Sequence, residues 1–287
     1  MTIDAKTKLY GLLAHPSQHS LSPVMHNLSF QYHNLNATYL AFDVVPENIQ
    51  GALQGIRAMD IGGVNLSMPL KTVVLPYLDA IDPTAKLIGA VNTIKNDHGH
   101  LTGYNTDCIG LLKALPKDFE PQGAQVVLLG AGGAAKSVAV QCGLAGVAHL
   151  TIVNRHVTPD SRAVALQKLL LAHTDMAVDV QAMGDATQLK NSLKTADLLI
   201  NATNLGMGAH IGENPLPGPD VFTKDCIVFD MIYAPAETAL LHCARTAGLT
   251  HVYNGIGMLV QQGAAAFKIW TGLGMPTKTI LEKLELN

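Results

Sequence analysis

A chain of 287 residues, 48% hydrophobic and only 14% charged, has enough apolar material for one large core or two modest ones. Its formal net charge of -3, with no basic run, argues against a nucleic-acid partner held through phosphate contacts, so no nucleic acid is expected. No stretch approaches the roughly 18 uninterrupted apolar residues of a membrane span, so no membrane partner is expected. Cys108, Cys142, Cys226 and Cys243 are widely spaced and form no C-x-x-C. With no secretory signal at the N-terminus, they read as reduced thiols of a cytoplasmic protein.

Lys8 to Ala14 reads as a first strand ending at His15-Pro16. Ser22 is expected to cap a helix with Pro23 in its first turn, and Val24, Leu28 and Tyr32 follow at helical spacing. Ala37 to Val45 reads as a strand, Pro46 to Met59 as a helix, and Gly62 to Asn65 as a short third strand. A further helical piece leads to Gly89, a hairpin turns at Asp97-His98-Gly99, and Asp107 opens a helix. Pro116 to Gly123, polar with two prolines, reads as a linker.

Beyond it, strands at Val126–Leu129, Leu150–Val153, Ala177–Gln181, Leu198–Asn201 and Ile227–Asp230 alternate with helical or loop segments. That alternation predicts an α/β fold with a doubly wound parallel sheet. Long and short helices at Met258–Trp270 and Thr277–Leu284 close the chain. The expected layout is a first α/β domain at 1–115, completed by 257–287, and a Rossmann-like domain at 116–256, with a cleft between them. The loop from Gly206 to Pro219, rich in Gly and Pro, suits a mobile segment at a cleft edge.

Val126 to Ala135 reads VVLLGAGGAA, a buried strand running into a glycine turn and a helix start. Its G-x-G-x-x-A spacing at Gly130, Ala131, Gly132, Gly133, Ala134 and Ala135 is a loose form of the dinucleotide fingerprint, with pyrophosphate expected on the helix N-terminus. The next strand ends Asn154-Arg155 with no acid at its tip. An arginine there suits a 2′-phosphate, so NADP is the expected cofactor, with NAD the alternative. Taken singly, Lys71 reads as a solvated charge and Asp107 as a helix-start acid. Ser20 and Ser22 read as caps, and Asn65 and Asn92 as strand-end turn residues. The twelve His show no H-E-x-x-H spacing, so no metal is expected.

Together these residues carry more. H-S-L-S-P-x-M-H-N at His19 to Asn27, V-N-L-S-M-P-L-K at Val64 to Lys71, G-A-V-N-T at Gly89 to Thr93 and G-Y-N-T-D at Gly103 to Asp107 come in order. N-R at Asn154-Arg155, N-A-T at Asn201 to Thr203, D-M-I-Y at Asp230 to Tyr233 and G-I-G-M-L-V-Q-Q-G at Gly255 to Gly263 follow. The set resembles the shikimate dehydrogenase family along nearly the whole chain. That resemblance implies reduction of 3-dehydroshikimate to shikimate with NADPH, by a monomer or homodimer. It implies Lys71 and Asp107 as the catalytic pair, and Ser20, Ser22, Tyr39, Ser67, Asn92, Thr106, Tyr233 and Gln262 around the substrate. It places Gly130 to Ala134, Asn154, Arg155, Thr203, Met231 and Gly255 around the cofactor.

The residue types suit that chemistry. Neutral hydroxyl and amide groups bond a polyhydroxylated ring directionally. A lysine ammonium can donate a proton to a forming alkoxide, an adjacent carboxylate can hold and tune it, and the two titrate as a pair. Two departures stand out. Ser67 occupies a position where shikimate-specific members often carry threonine, which opens room for quinate. After Arg155 the run His156 to Arg162 places Asp160 before the next basic residue, which admits NAD beside NADP. A metabolite sensor on the same fold is the rival from another class, and it would have no need of the Lys71 and Asp107 pair.

Overall fold

The computed structural model describes residues 3–285 and falls into two units, residues 1–110 with 259–287, and residues 111–258. The unit boundaries fall inside two helices rather than in the Pro116–Gly123 segment.

The first unit opens with strand β1 (Lys8–Ala14), then helix α1 (Ser22–Tyr32), β2 (Ala37–Asp43), α2 (Ile49–Ala58) and β3 (Gly63–Leu66). A single turn, α3 (Leu70–Val73), precedes β4 (Ala80–Ile81) and α4 (Pro83–Ile88), and the hairpin β5 (Thr93–Asp97) and β6 (His100–Tyr104) follows. The sheet order is β2-β1-β3-β5-β6-β4, with β1 parallel to both of its neighbours and β5 antiparallel to β3 and β6. His98 and Gly99 both take positive φ, 49° and 90°, the backbone of the expected two-residue hairpin turn. Asp82 caps α4 through the amides of Thr84 and Ala85, and Gly89 ends it in the left-handed region, as caps and glycine ends require.

Helix α1 departs from expectation twice. Its cap is Leu21, with no side-chain cap bond; Ser20 Oγ instead accepts from the Ser22 amide at 3.2 Å. Its buried face is Ser22, Met25, His26, Ser29 and Phe30, while Val24 and Tyr32 are exposed. Apolar spacing misled because three of the buried positions are polar.

The second unit is an all-parallel sheet. Its strands are β7 (Gln125–Leu129), β8 (His149–Asn154), β9 (Ala177–Ala182), β10 (Leu198–Asn201), β11 (Ile227–Asp230) and β12 (Val252–Tyr253). The order β9-β8-β7-β10-β11-β12 reverses between β7 and β10. Such a reversal creates the crevice at the strand carboxyl ends where ligands bind in open α/β sheets. Helices α6 (Gly133–Leu144), α7 (Arg162–His173), α8 (Ala186–Leu193) and α9 (Ala239–Thr246) link these strands, and α5 (Asp107–Ala114) leads into the unit. The 206–219 loop holds a 3-10 turn at Gly208–His210, and Leu216 is buried in the core.

The last two helices, α10 (Ile256–Thr271) and α11 (Thr277–Glu285), return the chain to the first unit. Val260, Phe267, Trp270 and Ile280 pack with Tyr10, Leu12, Met25, Phe30 and Tyr39 in one apolar cluster. Trp270 Nε1 donates to the Ile94 carbonyl at 2.9 Å, so its one polar atom is satisfied inside that core. All four cysteines are buried and free. No helix among the described residues is long and apolar enough to cross a membrane.

Candidate active site

Four elements of the first unit deliver one polar cluster. Lys71 stands on α3, Asp107 begins α5, Asn92 precedes β5, and Gln262 lies on α10. Lys71 Nζ meets Asp107 Oδ2 at 2.6 Å, the side chains 27% and 13% exposed: wet enough to receive a ligand, dry enough to strengthen the pair. Asn92 Nδ2 donates to Asp107 Oδ1 at 2.8 Å, which commits one carboxylate oxygen and leaves the other to the ammonium. Asn92 is itself locked. Its Oδ1 accepts from the Thr106 amide at 2.7 Å and from the Thr93 hydroxyl at 3.0 Å. Its Nδ2 also reaches Thr106 Oγ1 at 3.0 Å and, at the edge of bonding range, Gln262 Oε1 at 3.5 Å.

Behind this layer sits a second. Asn65 Nδ2 donates to Thr93 Oγ1 at 3.0 Å and to the Asn92 carbonyl at 3.2 Å. Tyr39 Oη donates to Asn65 Oδ1 at 2.8 Å. Tyr39 is wholly buried, and its hydroxyl donates into this second layer at Asn65. Ser67 is half-buried just ahead of α3. Ser20 and Ser22 stand at the start of α1, where the Ser22 side chain interacts with Tyr39. Tyr233 lies in the second unit, at the exposed end of the segment that follows β11.

In the second unit the glycine turn fits a dinucleotide. Gly130 takes φ +102°, and a side chain there would meet the Ala202 carbonyl oxygen at 3.1 Å. Around Gly132 and Gly133 no atom lies within 4 Å of where a Cβ would be, so the space above the helix start is open. The first amides of α6 have no carbonyl one turn ahead of them, as at any helix start, and they form the positive end of its dipole. Asn154 Nδ2 donates to the His156 carbonyl at 2.9 Å, shaping the turn that presents Arg155. Arg155 is exposed and has no hydrogen-bond or ion-pair partner among the described residues. A Cβ on Gly255 would overlap the Met231 carbonyl, which accounts for glycine there.

Sequence models of two domains match the chain: the shikimate dehydrogenase substrate binding domain over residues 12–94 and the shikimate 5′-dehydrogenase C-terminal domain over residues 255–285. The shikimate dehydrogenase (NADP(+)) of Moorella thermoacetica is 46% identical, with 96% of this chain and 91% of that protein covered. Its counterpart from Alkaliphilus metalliredigens is 43% identical, covering 97% and 96%. The chain belongs to the shikimate dehydrogenase family. The crystal structure of shikimate 5-dehydrogenase from Listeria monocytogenes, in complex with shikimate and NAD, superposes with a TM-score of 0.94 at 40% identity, covering 99% of this chain and 98% of that one.

Three groups escaped the sequence reading. Asn65 reads as a turn residue, yet it sits in a strand whose four residues are all buried; a lone amide in such a strand is the signal. Thr93 ends the G-A-V-N-T motif, which gives it no role of its own. Asp230 closes β11 wholly buried, accepting from Asn201 Nδ2 at 3.0 Å, from the Ile232 amide at 3.0 Å and from Thr238 Oγ1 at 2.6 Å. Burial pushes its carboxyl above the usual range while these bonds pull it back. Asn201 Oδ1 in turn accepts from the Thr203 hydroxyl at 2.7 Å, so one carboxylate ties together the segments bearing Thr203 and Met231.

Proposed function

We propose that this protein is an NADP-dependent shikimate dehydrogenase that interconverts 3-dehydroshikimate and shikimate. The Lys71–Asp107 pair, fixed by Asn92 on the far carboxylate oxygen, carries the reading, because it is a proton donor held in one geometry. In the reducing direction the carbonyl oxygen gains negative charge, and the Lys71 ammonium stabilises it and passes its proton to it. Asp107 holds the lysine in place, and the alcohol forms as the proton transfers. Ser20 and Ser22 take the substrate carboxylate. Ser67, Asn92, Thr106, Gln262 and Tyr233 take the ring hydroxyls, and Tyr39 acts from behind through Asn65.

NADPH, when bound, supplies the hydride. Gly130, Ala131, Gly132, Gly133 and Ala134 would cradle its pyrophosphate, with Arg155 and Asn154 at the ribose phosphate, and Thr203, Met231 and Gly255 lining the rest. The name carried by the curated relatives and the unpaired Arg155 both support NADP. We further propose a cytoplasmic monomer or homodimer, which sedimentation and cell fractionation test.

Ser67 favours a second substrate. Its side chain lacks the threonine methyl, and room remains for quinate, which carries an added hydroxyl on a saturated ring. Initial rates followed by nicotinamide absorbance, with shikimate or quinate and NADP or NAD, test both readings. Turnover with shikimate and NADP is expected. No quinate oxidation at millimolar concentration removes the second reading, and shikimate binding without turnover in any pairing turns the protein into a metabolite sensor.

A further inference from the structure

His26 is the one residue among those described with buried side-chain polar atoms lacking any hydrogen-bond partner, and both of its ring nitrogens lack one. It has no exposed surface. Its ring stacks on Tyr39, centroids 4.4 Å apart and planes 15° from parallel, and lies 5.1 Å from the Trp270 ring. A Cβ on Gly263 of α10 would sit 3.7 Å from Nε2, at ordinary van der Waals contact. Burial pushes the imidazole down to about 3, against an opposite pull from the Asn65 side chain, so the ring is neutral at working pH. A phenylalanine or leucine would fill this place without the cost of two unpaired polar atoms, about 1–3 kcal/mol each.

Two residues, Tyr39 and Asn65, separate that cost from the active-site cluster. Tyr39, on which His26 stacks, bonds Asn65; Asn65 bonds Thr93 and the Asn92 carbonyl; Asn92 bonds Asp107, which holds Lys71. A substrate hydroxyl that takes a bond from Asn92 or Thr106 must release one of their present partners, and the chain behind them has to re-sort. Each of these side chains already has a partner, whereas neither nitrogen of the buried imidazole has one.

We infer that His26 is a positioning residue, a neutral hydrogen-bonding reserve that takes up the Asn65 amide when substrate claims groups of the Asn92 cluster. The inference rests on the proposed function. It makes the histidine a place where stability is given up so that the polar cluster can change partners without leaving a buried group unpaired.

The test is an isosteric pair. His26→Gln keeps a hydrogen-bonding side chain, and His26→Met fills nearly the same volume with a flexible apolar one. We expect His26→Met to melt no lower than His26→Gln, yet to raise the shikimate KM about ten-fold, the size of one net hydrogen bond. The NADP KM should stay within about two-fold in both, and His26→Gln should stay within about three-fold of the parent for shikimate. Equal shikimate constants in the two variants overturn the inference and leave His26 as filler. A parent protein that neither binds nor oxidises shikimate overturns the proposed function and this inference with it. A parent that turns over normally beside two indistinguishable variants overturns this inference alone.

Discussion

In the proposed mechanism Lys71 donates from its place on one Asp107 oxygen, and the amide of Asn92 occupies the other. Lys71→Ala should lower kcat by about 10²–10⁴, the usual range for a positioned proton donor, while shikimate and NADP binding by calorimetry change far less. A kcat within ten-fold of the parent would remove Lys71 from proton transfer. His26 gives a prediction of another kind. In the unfolded chain it titrates near 6.5, whereas in the folded state it stays neutral down to about 3. Between those values the unfolded state binds the extra proton, so stability is complete above the window and falls as the pH drops through it. Urea unfolding at pH 7 and pH 4 should show the parent losing about 3 kcal/mol more than His26→Gln. Equal losses would mean that the ring is solvated. At this scale the motifs named Lys71, Asp107, Asn92, Thr106 and Gln262, which the fold brings together apart from a long Asn92–Gln262 contact. Asn65, Thr93 and His26 were missed because their work is done behind the surface, where a polar residue in sequence looks like a turn or an interruption.

At the scale of elements, the glycine turn separates two uses of one residue type. Gly130 is required by its backbone, with φ +102° and the Ala202 carbonyl beside it. Gly132 has φ −79° and ψ −173° with open space above, a conformation that any residue accepts. Gly130→Ala should therefore lower unfolding stability by about 1–3 kcal/mol. Gly132→Ala should leave stability unchanged and weaken NADP binding about ten-fold, because its methyl enters the space a pyrophosphate would use. Calorimetry and thermal melts on both variants decide it; unchanged NADP affinity in Gly132→Ala would mean that the phosphate lies elsewhere. Strands β7, β10 and β11 were legible because each is a short unbroken apolar run. Helix α8 was not: ATQLKNSL offers only Leu189 and Leu193 to the core, too sparse a pattern to stand out. Helix α9 is eight residues long, and β12 only two.

At the scale of the whole molecule, the first unit is built from both ends of the chain. Trp270 packs on Tyr10 with ring centroids 5.3 Å apart and bonds the Ile94 carbonyl. Trp270→Ala should cost about 3–5 kcal/mol, the range for deleting a large buried aromatic. Urea unfolding followed by tyrosine fluorescence or circular dichroism reads the loss, and a change under about 1 kcal/mol would show the core closing over the gap. The two-part construction of this unit was legible only through the family motif at Gly255 to Gly263, since nothing in the hydrophobic pattern of α10 says which sheet it will meet.

This discontinuity also sets an order in time. On a ribosome the β1–β6 sheet is made first, but the helices that cover Tyr10, Leu12 and Phe30 emerge only after the whole of the second unit. The nascent sheet must wait, its apolar face uncovered, while an uninterrupted stretch of chain behind it can fold as it appears. The half of the protein that carries the Lys71–Asp107 pair is thus begun first and finished last, and synthesis that stalls before α10 leaves its sheet without cover.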